Sequence, residues 1–152
     1  MQFNLSAQDT AVVQQAVGIL QDALIAKDDV FSSPAATRNY LQLKLANLEH
    51  EVFGVLFTDN RHRLIEDKVM FRGTVDGASV YPREVAKETL TQNACAVIFY
   101  HNHPSGVAEP SAADRTITQR LVDALALFDV RVLDHLIVAG CDTTSFAERG
   151  LL

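Results

Sequence analysis

The chain has 152 residues, a net charge of −6 and a hydrophobic fraction of 48%. This length fits one domain with a substantial core. No apolar run reaches the ~20 residues needed to cross a bilayer, and the first residues show no basic segment followed by an apolar one, so we expect neither a membrane span nor a signal peptide. The acidic balance argues against a broad nucleic-acid-binding surface, which is normally basic.

The sequence contains only two cysteines, Cys95 and Cys141. The first falls in a predicted buried strand and the second in a predicted loop. Two thiols without a disulfide framework are typical of a reducing compartment, and we therefore expect a cytoplasmic protein. They are also too few for a zinc ribbon.

Two helices are predicted at the start of the chain. Residues 6–27 have apolar residues at helical spacing, and Ser6 is suited to the N-cap. A second helix is predicted over 33–47, since Ser33 is suited to the N-cap and Pro34 to the first helical position. Both helices are interpreted as scaffold.

Strands and helices are interspersed along the rest of the chain. The run at 51–57 is apolar after its first residue, which predicts a central strand covered on both faces. The segment 64–74 follows a turn signal and has mixed polarity, so it is predicted to pair antiparallel with that strand. Further strands are predicted at 94–100 and 130–139, helices at 82–93 and 111–128, and a helical turn at 145–149. We therefore expect an α/β (α+β) fold with a mixed sheet flanked by helices.

Two histidines directly follow the predicted strand 94–100. Because successive side chains of an extended chain point to opposite faces, His101 and His103 should share one face and Asn102 should point away. A proline and a glycine then turn the chain, and Asp114 lies in the first turn of the next predicted helix. Two imidazoles and one carboxylate suit Zn²⁺, and three protein ligands leave a fourth position for water.

A zinc hydrolase also needs a proton carrier beside its metal-activated water, usually a carboxylate that does not bind the metal. Glu49 and Glu51 both precede the predicted central strand, and periodicity alone does not separate them. Glu51 is preferred because it adjoins the apolar run, where a carboxylate would be partly desolvated. Ser111 has two candidate roles, as the N-cap of helix 111–128 or as a hydrogen-bond donor to a developing oxyanion.

The pair Asp134–His135 lies within the predicted strand 130–139. It is interpreted as a structural pair whose polar atoms are satisfied within the fold, and the alternative is that one of the two orients a metal ligand. Asn102 and Ser105 are expected to shape the histidine loop through hydrogen bonds from side chain to backbone.

These residues carry a resemblance to a known family. Three motifs together are similar to the JAMM signature of the JAB/MPN metalloprotease superfamily: Glu51-x-x-Gly54-x-Leu56, His101-x-His103-Pro104 and Ser111-x-x-Asp114. The chain more closely resembles the RadC family, whose members are named as DNA repair proteins. This likeness lies in His101-Asn102-His103-Pro104-Ser105-Gly106 and Pro110-Ser111-x-x-Asp114. The likeness continues in Phe71-Arg72-Gly73-Thr74, Tyr81-Pro82-Arg83-Glu84-Val85, Leu133-Asp134-His135 and Ser145-Phe146-x-Glu148-x-Gly150.

The resemblance implies an N-terminal helical extension, residues 1–35, and a RadC-like JAB/MPN (JAMM) domain, residues 36–152, with a cytidine-deaminase-like sheet. It implies a zinc-dependent hydrolase that cleaves a peptide or isopeptide amide in a peptide or protein substrate. The implied zinc ligands are His101, His103 and Asp114, the implied general base is Glu51, and the residue that assists at the oxyanion is Ser111.

The family also suggests an alternative function, a non-catalytic metal-binding module in DNA repair or mobile-element DNA metabolism. Longer RadC proteins resemble this domain joined to a helix-hairpin-helix module of a DNA-binding type. Here only about 35 residues precede the domain, without a glycine-bearing hairpin between two basic helices. The chain is similar in this respect to short RadC-like proteins carried by mobile elements, and we expect no direct nucleic-acid binding.

Overall fold

The structure is a computed structural model that describes residues 4–26, 34–74 and 78–152. These residues form four helices and five strands. The helices are α1 (Ala7–Ala26), α2 (Pro34–Leu45), α3 (Pro82–Thr91) and α4 (Ala112–Ala126). The strands are β1 (Val52–Thr58), β2 (Leu64–Arg72), β3 (Ala96–Asn102), β4 (Arg131–Ala139) and β5 (Asp142–Ser145). None of the helices so described combines the length and the apolar character that a membrane crossing requires.

The five strands form one sheet in the order β2-β1-β3-β4-β5. Strands β3 and β4 pair in parallel, and the other neighbouring strands pair antiparallel. The predicted mixed sheet and the α+β class are therefore confirmed. All residues of β1 are buried, as expected for a strand that has neighbours on both sides and helices over both faces.

Two helices cover each face of the sheet, because the side chains of the central strands alternate between two apolar clusters. Helices α1 and α2 pack on the first face, where the sheet contributes Val52, Leu56, Ile98 and Tyr100. Helices α3 and α4 pack on the second face, where the sheet contributes Phe53, Val55, Phe57, Val97 and Phe99. The same alternation places His101 on the second face and Asn102 on the first.

The boundaries differ from the prediction in three informative places. Strand β3 runs two residues further than expected, so that His101 lies inside the strand. Cys95 is exposed and not buried as predicted, because it lies one residue ahead of β3. Strand β5 was not predicted, and it occupies the residues before a turn in which the Arg149 N–H donates to the Ser145 carbonyl (3.3 Å).

The first helix begins as predicted. The Ser6 Oγ accepts a hydrogen bond from the Asp9 N–H (3.1 Å), and the Asp9 carboxylate accepts one from the Ser6 N–H (3.3 Å). This reciprocal arrangement is a capping box. The predicted N-cap of the second helix, Ser33, lies outside the described residues.

Candidate metal centre and its cleft

The two histidines of the predicted ligand set lie at the end of β3 and share one face, as the alternation predicts. The His103 N–H donates to the Val138 carbonyl (2.9 Å), which continues the pairing with β4 by one residue beyond β3. The Nε2 atoms of His101 and His103 lie 2.9 Å apart. The His103 Nδ1 lies 2.7 Å from the Val107 carbonyl oxygen. Because a carbonyl oxygen can only accept a hydrogen bond, this nitrogen carries the proton. The lone pair of Nε2 is then available to bind a metal.

The carboxylate of Asp114 completes the cluster from the first turn of α4. Its Oδ1 lies 3.3 Å from the His101 Nε2, and its Oδ2 lies 3.4 Å from the His103 Nε2. A capping box holds it in place: the Ser111 N–H donates to the Asp114 Oδ2 (2.7 Å), and the Asp114 N–H donates to the Ser111 Oγ (3.1 Å). Asp114 is thus positioned by the start of a helix.

The three side chains match the requirements of a zinc site. Their ligand atoms all lie within 4.8 Å of one another, and theirs is the one such cluster among residues 4–26, 34–74 and 78–152. Bond lengths of about 2.0–2.2 Å in a tetrahedral zinc site place neighbouring ligand atoms roughly 3.3–3.5 Å apart. The two distances from Asp114 to the histidines agree with this spacing, and the distance between the histidines is slightly shorter.

The electrostatics of the cluster favour a negative carboxylate. Burial would raise the pKa of Asp114, but the neighbouring His101 and His103 and the hydrogen bond from Ser111 hold it below its ordinary value. The contact with Asp114 raises the pKa of His103, although burial opposes this effect, and the nearby negative charge of Glu51 adds to it. The cluster therefore attracts positive charge, as a cation site must.

A cleft of about 660 Å³ opens over this cluster. Its walls include Glu51 from the start of β1 and Ser111 from the start of α4, together with His101, His103 and Asp114. The structure thus places all five predicted site residues around one cavity.

The position of β1 separates the two candidate bases. Glu51 lines the cleft, and its Oε1 accepts a hydrogen bond from the Ala78 N–H (3.1 Å). Glu49 is exposed and is not among the described residues that line the cleft. Because Glu51 directly precedes the strand, the strand fixes its position relative to His101, His103 and Asp114.

The pair Asp134–His135 divides into two different roles. The Asp134 carboxylate accepts hydrogen bonds from the His135 N–H (2.7 Å), the Ser145 Oγ (2.6 Å) and the Ala147 N–H (3.0 Å), which is the predicted structural role. The His135 ring, in contrast, lies against one of the two clustered histidines, with its Nε2 2.7 Å from the His101 Nδ1. Both ring nitrogens of His135 have partners within the fold, as the structural interpretation predicts, and the contact with His101 is also compatible with the alternative that His135 orients a metal ligand.

Burial keeps His135 uncharged. The side chain is fully buried, and desolvation lowers its pKa well below the ordinary value, with the neighbouring His101 acting in the same direction. The second ring nitrogen, Nδ1, lies 2.6 Å from the Thr118 Oγ1. Sequence reasoning did not identify Thr118, and the only signal was its position four residues after Asp114, on the same face of α4.

Comparisons with known proteins agree with the motif and the geometry. The family model for the RadC-like JAB domain matches residues 31–151. A UPF0758 protein of Vibrio cholerae is 59% identical over 146 residues, which cover 96% of this chain and 91% of that protein. A UPF0758 protein of Nitrosococcus oceani is 59% identical over 133 residues, 88% of this chain and 59% of that protein. Another, of Marinobacter nauticus, is 52% identical over 146 residues, 96% of this chain and 65% of that protein. The chain thus spans less than two thirds of the length of the last two relatives.

Proposed function

The chain belongs to the RadC-like JAB domain family, and on this premise we propose that it is a zinc-dependent hydrolase that cleaves a peptide or isopeptide amide. The observation that carries the proposal is the convergence of two imidazoles and a carboxylate on one point, with a separate glutamate on the wall of the same cleft. Three protein ligands and an open position are the arrangement found in catalytic zinc sites.

The proposed zinc ligands are the Nε2 atoms of His101 and His103 and the carboxylate of Asp114. Bound there, zinc would act as a Lewis acid and lower the pKa of water to about 7. The chain supplies the position of each ligand: β3 holds His101, the Val107 carbonyl orients His103, and the capping box of α4 orients Asp114.

Glu51 is the proposed proton carrier. The hydrogen bond from the Ala78 N–H to its Oε1 fixes the carboxylate, and the other oxygen would take a proton from the attacking water. The same oxygen would then deliver that proton to the leaving amine nitrogen. A carboxylate that also bound the metal would be a poorer base, so the separation of Glu51 from the ligand cluster supports this role.

Ser111 is the proposed donor to the carbonyl oxygen as negative charge develops on it. Ser111 lines the cleft, and its hydroxyl donates to the Asp114 Oδ2 (2.7 Å). The proposed role therefore requires this hydrogen to turn from Asp114 towards the substrate.

The charge of the cleft favours an amide over a phosphodiester. Among the described residues that line it, the charged side chains besides the histidines are Glu51 and Asp114, and none is a lysine or arginine. The described walls of the cleft therefore offer no cationic side chain to pair with a phosphate backbone, and an uncharged amide needs none. We accordingly expect no gel shift with DNA at physiological salt.

A cleavage screen with matched variants tests the proposal. We expect the zinc-loaded protein to hydrolyse members of a peptide and isopeptide library and a chelator to abolish this activity. Glu51→Gln should reduce turnover by roughly 10²–10⁴-fold while the protein retains zinc by elemental analysis. Glu49→Gln, the same change two residues away on an exposed side chain, should leave turnover unchanged.

A His103→Ala variant provides the second arm, since it should lose zinc and turnover together. The control His62→Asn removes an imidazole outside the cleft and suits the positive φ of that position (61°). Normal turnover in Glu51→Gln would overturn the assignment of the base, and a purified protein without zinc affinity would overturn the proposal as a whole.

A further inference from the structure

A chain of hydrogen bonds runs from the metal cluster into the core behind it. The His101 Nδ1 lies 2.7 Å from the His135 Nε2, and the His135 Nδ1 lies 2.6 Å from the Thr118 Oγ1. The Thr118 hydroxyl in turn lies 2.6 Å from the Asp114 carbonyl oxygen. We call this set the His135 relay: His101, His135, Thr118 and the Asp114 carbonyl.

The donor and acceptor of every hydrogen bond in the His135 relay follow from the Asp114 carbonyl, which ends this chain of bonds. A carbonyl oxygen can only accept, so the Thr118 hydroxyl donates to Asp114. The Thr118 oxygen then accepts from the His135 Nδ1–H. A neutral imidazole protonated at Nδ1 has an acceptor at Nε2, which receives the His101 Nδ1–H.

The surroundings of His135 make the neutral ring the stable form. The side chain is 0% exposed, and aromatic rings lie against it, with centroid separations of 5.6 Å to Phe53, 5.8 Å to Phe99 and 4.8 Å to Phe146. Each ring nitrogen has one hydrogen-bonding partner, and neither partner is a carboxylate that would stabilise a second proton.

We propose that His135 and Thr118 are positioning residues that place the proton of His101 on Nδ1 and thereby present its unprotonated Nε2 to the metal. This inference rests on the proposed zinc site and extends it to residues that do not touch the ion. The ring proton of His103 is also placed on Nδ1, in this case by the hydrogen bond to the Val107 carbonyl. Second hydrogen bonds of this kind orient metal-binding histidines and strengthen them as ligands.

The variant Thr118→Val tests the relay with almost no change of side-chain volume. Valine cannot accept from the His135 Nδ1–H, so the other tautomer of His135 becomes favourable, and its Nε2–H would donate to the His101 Nδ1. The proton of His101 would then sit on Nε2 and compete with the metal. We expect zinc affinity, measured by competition with a chelator, to fall roughly 10–100-fold.

Two further variants separate this effect from a general structural one. Thr118→Ser restores the hydroxyl and should bind zinc as the unmodified protein does. Thr116→Val removes a hydroxyl from the exposed face of the same helix, where it donates to the Ala112 carbonyl (2.9 Å), and should leave zinc affinity unchanged. Unchanged affinity in Thr118→Val would overturn the proposal, as would failure of Thr118→Ser to restore it.

NMR of the unmodified protein gives a readout that needs neither a variant nor turnover. Correlations between ring nitrogens and carbon-bound ring protons report which nitrogen is protonated. We expect His135 to be protonated at Nδ1 in both metal-free and zinc-loaded protein, and protonation at Nε2 would refute the His135 relay. A protein that shows the expected tautomer and binds zinc, but cleaves no amide, would contradict the proposed function and leave the relay intact.

Discussion

Asn102 and Val52 are joined by a hydrogen bond between β3 and β1, in which the Val52 N–H donates to the Asn102 Oδ1 over 2.8 Å. The amide nitrogen of the same side chain donates to the His50 carbonyl (3.0 Å). Asn102 thus holds the backbone on both sides of Glu51, while its neighbours His101 and His103 point to the opposite face. The prediction that this side chain shapes the histidine loop was wrong, because the backbone to which it bonds is the start of β1 and not its own loop.

Substitution of Asn102 should therefore displace Glu51. Asn102→Ala leaves the buried Val52 N–H and the His50 carbonyl without partners, at about 1–3 kcal/mol each if water does not replace the amide. We expect kcat for amide hydrolysis to fall more than zinc affinity falls. The control is Thr58→Val, which removes a buried hydrogen bond to the Ala96 carbonyl (3.0 Å) at the other end of β1. An equal loss of turnover in both variants would refute a specific role for Asn102.

The two roles of Ser111 can be separated by comparison with Ser6, because both residues form a capping box with an aspartate three residues later. Alanine at either position should destabilise the protein by about 1 kcal/mol through loss of the cap. Only Ser111→Ala should also reduce turnover, by roughly 10²-fold and with zinc affinity retained, if the hydroxyl stabilises the oxyanion. Denaturation curves and kcat measured on both variants give the answer, and equal kcat values would mean that Ser111 is a cap alone.

Gly54 should tolerate no side chain. A Cβ at this position would lie 2.1 Å from the Tyr100 Cζ and 2.2 Å from its hydroxyl oxygen. The Tyr100 side chain is buried and its hydroxyl is hydrogen-bonded to Asp67, so it has little room to move away. We expect Gly54→Ala to destabilise the protein by at least about 1–3 kcal/mol. Gly18→Ala is the matched control, since nothing lies within 4 Å of its Cβ and alanine favours a helix by up to about 1 kcal/mol. In chemical denaturation, the midpoint of Gly54→Ala should lie below that of the unmodified protein and the midpoint of Gly18→Ala above it. Equal midpoints for the two variants would contradict the close packing of Gly54 against Tyr100.

Alkaline pH should unfold the protein through two buried tyrosines. Burial, with the negative charge of Asp67 beside them, raises the pKa of Tyr40 and Tyr100 above the ordinary value of 10.0. Both hydroxyls donate to the Asp67 carboxylate. Above about pH 10 the unfolded chain loses these protons while the native state keeps them, so stability falls with pH, by about 1.4 kcal/mol per unit for each phenol.

The measurement is the free energy of unfolding below and above about pH 10. Tyrosinate absorbance should be followed in a Tyr81→Phe background, which removes an exposed phenol (59%) and leaves the two buried ones. We expect this signal to rise only as the protein unfolds. Ionisation of the two phenols in protein that remains folded would contradict the prediction.

Much of the fold could be predicted because local pattern and final environment agree. The apolar run at β1 is buried on both faces, and proline marks the first helical residue of α2 and α3. Strand β5 was missed because Asp142–Ser145 is short and polar, and its state depends on pairing with β4. Such a pairing is decided by distant parts of the chain, which local spacing does not report.

In the candidate site, too, features set by local sequence could be predicted and features set by strand pairing could not. Strand alternation and a helix cap act within the short segment 101–114, so the relation of His101 and His103 to Asp114 could be anticipated. The approach of His135 to His101 depends instead on the parallel register of β3 and β4, which pairs Phe99 with His135. Nothing near position 135 in the sequence specifies that register.

The capping box at the start of α4 has a consequence for how the cluster would release and regain the proposed zinc ion. The Asp114 carboxylate accepts hydrogen bonds from the backbone N–H and the hydroxyl of Ser111. Because both bonds come from the protein itself, we expect the carboxylate to keep its orientation when the proposed zinc ion is removed. Under the proposed function, removal and return of zinc would then abolish and restore turnover while the protein stays folded.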